Sequence, residues 1–228
     1  MTAERVVVLD QIVDLILEIV RPHPLRVAVD GVDAAGKTTI ADELAQRIEH
    51  RGRSVIRASL DGFHRPRVDR YRRGVNSPEG YYYDSFDYVA IVDNLLMPLG
   101  PGGNRRYCRA LFDYRANKPI NQPLEVAVED AVLLIDGVFL LRQELNRYWD
   151  FRIFVDVDFE VAVGRAVTRD CEGLGTSEEV LRRYWERYVP GQLIYIESVQ
   201  PKRNANIILN NDEFANPIIY TNGEGMAG

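Results

Sequence analysis

Apolar positions along this chain repeat with two periods, and the switching between them predicts its architecture. Residues 5–20 are largely apolar but place acids at Asp10, Asp14 and Glu18. Acids four apart share one side of a helix, so this segment reads as an N-terminal packing helix stopped by Pro22 and Pro24. Short, nearly continuous apolar runs follow at 25–30, 54–60, 131–136, 151–156 and 205–209. Runs of that length without polar alternation suit strands buried on both faces, as in a parallel sheet. Helical periodicity occupies 39–48, 87–96, 159–170 and 177–197, with Ser85 or Asp87 as cap of the second. Residues 62–83 read as a long polar loop rich in Arg, Tyr, Pro and Gly, and 107–114 with 124–128 as two antiparallel strands. Strands alternating with helices predict a single α/β domain over residues 1–228: a three-layer sandwich on a parallel central sheet. A small helical lid is expected at about 165–190, and the small polar tail over 222–228 is expected to fray.

Chemistry enters between the first strand and the first following helix. Gly31-Val32-Asp33-Ala34-Ala35-Gly36-Lys37-Thr38-Thr39 fits G-x-x-x-x-G-K-[ST], the phosphate-binding P-loop. The glycines let backbone N–H groups close on phosphate, and the helix dipole favours negative charge there. Gly31, Asp33, Ala34, Ala35, Gly36, Lys37, Thr38 and Thr39 are therefore the expected nucleotide-binding set, with Lys37 on the β- and γ-phosphates and the Thr38 hydroxyl on Mg²⁺. The fold is expected to be that of a P-loop NTPase. Ligands in such sheets bind beyond the carboxyl ends of the strands, where Asp30, Asp61 and Asp136 fall. Asp136 ends an apolar strand in the Walker B manner and is a candidate Mg²⁺ ligand. Asp61 is a candidate base for a substrate hydroxyl and a further metal neighbour. His64, Tyr83 and Asp84 are candidate substrate contacts, because aromatics stack on flat groups and carboxylates bind hydroxyls. Arg165 and Arg169 share a helix face, and an arginine from a lid neutralises a transferring phosphoryl group.

Composition narrows the rest. The 228 residues carry a formal net charge of -6, which argues against a general nucleic-acid binder but leaves room for a local basic pocket. Cys108 and Cys171 are the two cysteines, without C-x-x-C, so a disulfide framework or zinc site is not expected. No apolar run approaches a membrane span, and a cytoplasmic protein acting on a small molecule is expected, with homo-oligomer formation left open.

At these residues the chain resembles the uridine kinase and phosphoribulokinase family of P-loop kinases. The resemblance runs from about Leu25 to Asn210. It is carried by the P-loop, by Asp61-Gly62-Phe63-His64-Arg65, by Tyr83-Asp84 with Phe86-Asp87, and by Phe112-Asp113-Tyr114. Asp136-Gly137-Val138, the Arg165 to Asp170 run, Tyr188-Val189-Pro190 and the stretch from Pro201 to Ile208 complete it. It implies transfer of phosphate from ATP, with Mg²⁺, to a hydroxyl, a nucleoside such as uridine being the first expectation. It also implies that Asp61 is the base, that Asp84 binds ribose hydroxyls, and that Thr38 and Asp136 help hold the metal. The stretch at Tyr114 and Arg115 matches the family's base-reading region but carries no histidine, and the lid after Arg169-Asp170 lacks two later arginines. Charge stabilisation then falls to Arg169, Arg115 or the group at Arg182, Arg183 and Arg187. Pantothenate or a sugar as acceptor, and a regulatory protein that binds nucleotide without turnover, remain alternatives. A GTPase is rejected, because Asn117-Lys118-Pro119-Ile120 lacks the aspartate of N-K-x-D.

Overall fold

A computed structural model describes residues 2–221, apart from the side chains at 172 and 174. The tail expected to fray over 222–228 lies outside the described residues. Six strands form the main sheet: β1 (Leu25–Gly31), β2 (Val55–Ser59), β3 (Val132–Asp136), β4 (Phe151–Asp156), β5 (Ile207–Asn210) and β6 (Ile218–Thr221). Their order is β6-β5-β4-β1-β3-β2, parallel throughout except for the antiparallel pair β6-β5. The five parallel strands are those expected from the apolar runs; β6 is an addition at the edge. In register, Val29 of β1 and Ser59 of β2 both lie opposite Asp136 of β3, so the carboxyl ends of three neighbouring strands converge on that aspartate.

Alternate residues of the parallel strands feed two cores. Val27, Val29, Val132, Leu134, Ile153 and Val155 pack under α1 (Ala3–Leu17) and α2 (Lys37–His50) with Leu9, Ile12, Ile16, Ile40, Leu44 and Ile48. Ala28, Leu133, Ile135 and Phe154 face the opposite way, against Tyr81, Tyr82, Phe86, Ile91, Leu95 and Tyr195. These two helical layers around one sheet are the expected three-layer sandwich. Two acids of the α1 stripe, both partly exposed, reach arginines of α2 and its end: Asp10 pairs with Arg47 at 3.4 Å, and Asp14 with Arg51.

Segment 62–83 is more ordered than a loop. It holds a short helix at Arg67–Arg70 and α3 (Pro78–Asp84), whose first turn is capped by Ser77 Oγ accepting from the Gly80 N–H at 3.0 Å, with Pro78 at the first helical position. Residues 107–114 do not form one strand. Arg106–Tyr107 pairs with Glu125–Val126, whereas Phe112–Asp113 turns back on Lys118–Pro119. The region expected as a lid, about 165–190, falls within α4 (Phe159–Leu174), α5 (Ser177–Arg183), a π-helical turn at Tyr184–Tyr188, and the start of α6 (Val189–Val199). Its own small core of Val163, Ala166, Val180, Tyr184 and Val189 includes Ala34 of the P-loop, so lid and loop share one packing unit.

Asp30, the last residue of β1 before the P-loop glycine, is fully buried. The Tyr195 hydroxyl donates to one oxygen and the Leu140 N–H to the other at 3.2 Å. Burial pushes its pKa up to about 6 from 3.8, against those hydrogen bonds and the Lys37 charge. Between those two values the native state binds more protons than the unfolded chain. This group's contribution to stability therefore falls as pH rises through that window. Asp30→Asn removes the charge. Relative to wild type, its unfolding free energy should improve by about 2–3 kcal/mol between about pH 4 and pH 7, as read by urea denaturation at both ends. A difference that does not change with pH would contradict the buried-charge assignment.

Candidate active site

The turn from β1 into α2 adopts the conformation its glycines allow. Gly31 has φ +151°, and a Cβ there would fall 2.4 Å from the Val155 carbonyl oxygen. Gly36, at φ +91°, precedes α2 and offers no side-chain cap, which leaves the first-turn N–H groups of a 14-residue helix for an anion. Ala34 is left-handed at φ +58°. Asn211, fully buried beyond β5, braces the turn from behind: its Nδ2 donates to the Ala35 carbonyl at 2.8 Å and its Oδ1 accepts from Arg5 Nη1 at 3.2 Å. Arg5, 1% exposed, is itself held by Glu43 at 2.6 Å and by the Phe214 carbonyl at 2.8 Å.

Lys37 is buried, and its Nζ donates to the Val32 carbonyl at 2.7 Å, inside the loop. Burial lowers its pKa, opposed by Asp33, Asp30, Asp136 and Asp61. Asp33, expected at the phosphates, makes hydrogen bonds to two other elements. Its N–H donates to Gln192 Oε1 at 2.6 Å, and its carboxylate accepts from the Tyr81 hydroxyl at 2.6 Å and Gln192 Nε2 at 3.3 Å. It thus ties the P-loop to α3 and α6. Thr39 is exposed at the start of α2.

The Thr38 hydroxyl donates to Asp136 Oδ2 at 2.7 Å, while Arg57 Nη2 holds Asp136 Oδ1 at 2.9 Å. Thr38, Arg57, Ser59, Gly62, Arg109 and Asp136 line a cleft of about 280 Å³. Asp61 stands just past β2. Solvent reaches 57% of its side chain, His64 Nδ1 lies 3.8 Å from its carboxylate, and no hydrogen bond among the described residues engages that carboxylate. Crowding by surrounding protein raises its pKa above the usual carboxylate range. The Asp136 charge adds to this, while Lys37, Arg169 and Arg115 oppose it.

His64 Nδ1–H donates to the Asp61 carbonyl at 3.0 Å. Its ring stacks on Tyr114 at 4.7 Å and meets Phe86 at 4.4 Å. Burial pushes its pKa down to about 4, so it is neutral at pH 7. Arg115 lies over the Tyr114 ring and donates to its hydroxyl at 3.2 Å. Tyr83 is exposed, edge-on to Tyr82 at 4.7 Å.

Asp84, the carboxylate expected to bind hydroxyls, is engaged by two arginines. It is 1% exposed, and its two oxygens accept from Arg72 Nη2 at 2.6 Å and Arg73 Nε at 2.8 Å. Burial alone would raise its pKa, but the two arginine hydrogen bonds win and hold it below the ordinary value. The expected cap role of Asp87 stands: its Oδ1 accepts from the Ala90 N–H at 2.9 Å.

On the lid, Arg169 pairs with Asp170 at 2.6 Å, and this hydrogen bond raises its pKa. The Tyr184 hydroxyl joins the pair at 2.8 Å. Arg165 donates from Nη2 to the Asn211 and Asp212 carbonyls at 2.8 and 2.7 Å. Arg187 is buried over the Tyr71 and Tyr81 rings and holds the Val75 carbonyl at 2.6 Å, a packing role. Arg57, Tyr81, Gln192, Asn211 and the Arg72–Arg73 pair were not marked by the sequence, because each acts through a partner distant in the chain or through a side chain of ordinary type.

No helix among the described residues is long and apolar enough to cross a membrane. The profile of the phosphoribulokinase / uridine kinase family matches residues 27–212. A protein named uridine-cytidine kinase B from Dictyostelium discoideum is 30% identical over 191 residues, covering 82% of this chain and 74% of that one. Among solved structures, one titled "Structure of a Possible Uridine Kinase from Bacillus stearothermophilus" superposes with TM-score 0.70 at 22% identity, covering 88% of this chain and 96% of the other. A D-glycerate 3-kinase from Cryptococcus neoformans superposes with TM-score 0.53 at 16% identity over 81% and 87% of the two chains. With the family profile spanning most of the chain, from within β1 to just past β5, this protein belongs to the phosphoribulokinase / uridine kinase family of P-loop kinases.

Proposed function

We propose that the chain transfers the γ-phosphoryl group of ATP to a hydroxyl of a small molecule. The observation that carries this is the free Asp61 carboxylate beside the Thr38–Asp136 pair, at the ends of adjacent strands next to the P-loop. In this reading Lys37 and the first turn of α2 hold the phosphates. Thr38 and Asp136 fit Mg²⁺: they are hard oxygen donors in hydrogen-bond contact. A Mg²⁺ ion held by few protein oxygens takes its remaining ligands from phosphate oxygens and water. The ion would neutralise charge on the phosphate oxygens. Asp61 takes the proton of the acceptor hydroxyl as that oxygen bonds to the γ-phosphorus. The bond to the β,γ-bridging oxygen breaks, and ADP leaves. Arg169 and Arg115, both close enough to Asp61 to lower its pKa, supply positive charge in place of the two lid arginines that the sequence lacks.

Uridine is the first acceptor to assay, because relatives carry that name. Release of ADP with Mg²⁺ and ATP, compared with and without nucleosides, pantothenate, sugars and sugar acids, tests the reading. Acceptor-dependent release is expected. Nucleotide binding without such release on any hydroxyl would favour the regulatory alternative.

A further inference from the structure

Five arginines fall within nine residues, Arg65, Arg67, Arg70, Arg72 and Arg73, in a chain of net charge -6. Asp69 is the one acid of that stretch. This basic segment is fastened to the Asp61 turn. The Arg65 N–H donates to the Ser85 carbonyl at 2.9 Å, the Asp87 N–H to the Phe63 carbonyl at 2.8 Å, and His64 pairs with Phe86. Asp84 therefore sits immediately before a short antiparallel pairing with the strand end that carries the proposed base. Arg70 is linked to the same place: its Nη2 donates to the Tyr114 carbonyl at 3.3 Å, and the Tyr114 ring lies on His64.

The charges here do not balance. Arg72 and Arg73 face one shared carboxylate, Asp84. Each arginine has further N–H groups, and the two side chains remain 57% and 47% exposed. Arg70 is only 7% exposed, and its buried Nε has no hydrogen-bond partner. A buried guanidinium N–H without an acceptor is costly, and an oxyanion arriving there would satisfy it. Asp84, meanwhile, has both oxygens taken and is closed to an acceptor's hydroxyls.

We infer that the acceptor carries an oxyanion, a carboxylate or a phosphate, in addition to its reacting hydroxyl, and that Arg70, Arg72 and Arg73 read it. This rests on the kinase reading above and narrows its substrate class. A neutral nucleoside would leave Arg72 and Arg73 sharing Asp84, with only Asp69 as a further acid near Arg72, and the buried Arg70 Nε without an acceptor, whereas forked guanidinium donors match carboxylate and phosphate geometry.

The test uses acceptor pairs that differ in the anion: glycerol against glycerate, ribose against ribose 5-phosphate, with uridine as the neutral nucleoside. ADP release is measured at saturating MgATP. The charged member of at least one pair should exceed its neutral partner by about 100-fold or more in kcat/KM, and the pair that responds separates carboxylate from phosphate. R72Q/R73Q should raise KM for that acceptor about tenfold or more while kcat changes little, and R72K/R73K should recover part of the loss. If R72Q/R73Q fails to fold, wild-type KM for the charged acceptor should still rise several-fold between about 0.05 and about 0.3 M salt. Uridine or another neutral acceptor turned over as well as its charged counterpart overturns the inference and leaves the kinase reading standing. Equal losses on charged and neutral acceptors in R72Q/R73Q also overturn it. No ADP release with any acceptor overturns both.

Discussion

Lys37→Ala is expected to lower acceptor-dependent ADP release by on the order of 10³-fold and to weaken ATP binding. Asp30, Asp33, Asp61 and Asp136 all act electrostatically on Lys37. A polyphosphate brought among them without that ammonium meets uncompensated carboxylates. The substitution also removes one of two donors to the Val32 carbonyl, which keeps the Ala35 N–H at 3.2 Å, at a cost of about 0.5–1.5 kcal/mol. Circular dichroism and a thermal melt must therefore accompany the kinetics. Turnover within about tenfold of wild type in a folded Lys37→Ala protein would remove this residue from the phosphate site.

Asp61→Asn should separate binding from chemistry. The amide has the carboxylate's shape, and the carboxylate accepts no hydrogen bond among the described residues, so little stability is at stake. Removing a positioned base is expected to lower kcat by about 10²–10⁴-fold, while ATP affinity is retained. The pH profile adds a second readout. Crowding and Asp136 raise the Asp61 pKa, and a base works only when deprotonated. The acid limb of wild-type kcat/KM should thus lie above the usual carboxylate range, with activity lost as pH falls through it, and the limb should vanish in Asp61→Asn. An unchanged limb would assign it to another group.

The sequence made legible what is local. The G-x-x-x-x-G-K-[ST] spacing specifies a turn and a helix start within nine residues, and apolar runs ending in acid mark buried parallel strands whose carboxyl ends gather at one edge. The placement of Asp61, Thr38 and Asp136 at that edge was therefore readable from position alone. Long-range pairing was not legible. Arg5 and Asn211, 206 residues apart, meet behind the P-loop only because α1 and the end of β5 flank the same turn. The engagement of Asp84 by Arg72 and Arg73 was hidden for a different reason. A polar segment rich in Arg and Gly signals a loop, while the helix Pro78–Asp84 arises from Ser77 capping and from packing of Tyr81 and Tyr82 on Phe139. Asp33 was assigned to phosphate by its place in the motif, yet Tyr81 and Gln192, from elements 48 and 159 residues away, claim its polar atoms. β6 was missed because a short edge strand paired on one side leaves a weak pattern.

The central claim is phosphoryl transfer to an acceptor oxygen, and phosphorus-31 NMR of wild-type protein with Mg²⁺, ATP and a responding acceptor observes it directly. The account predicts a new phosphomonoester resonance that grows in step with ADP, and that grows about 10²–10⁴-fold more slowly with Asp61→Asn. Growth of inorganic phosphate alone, or a γ-phosphorus signal that stays constant with every hydroxyl acceptor tried, would contradict it.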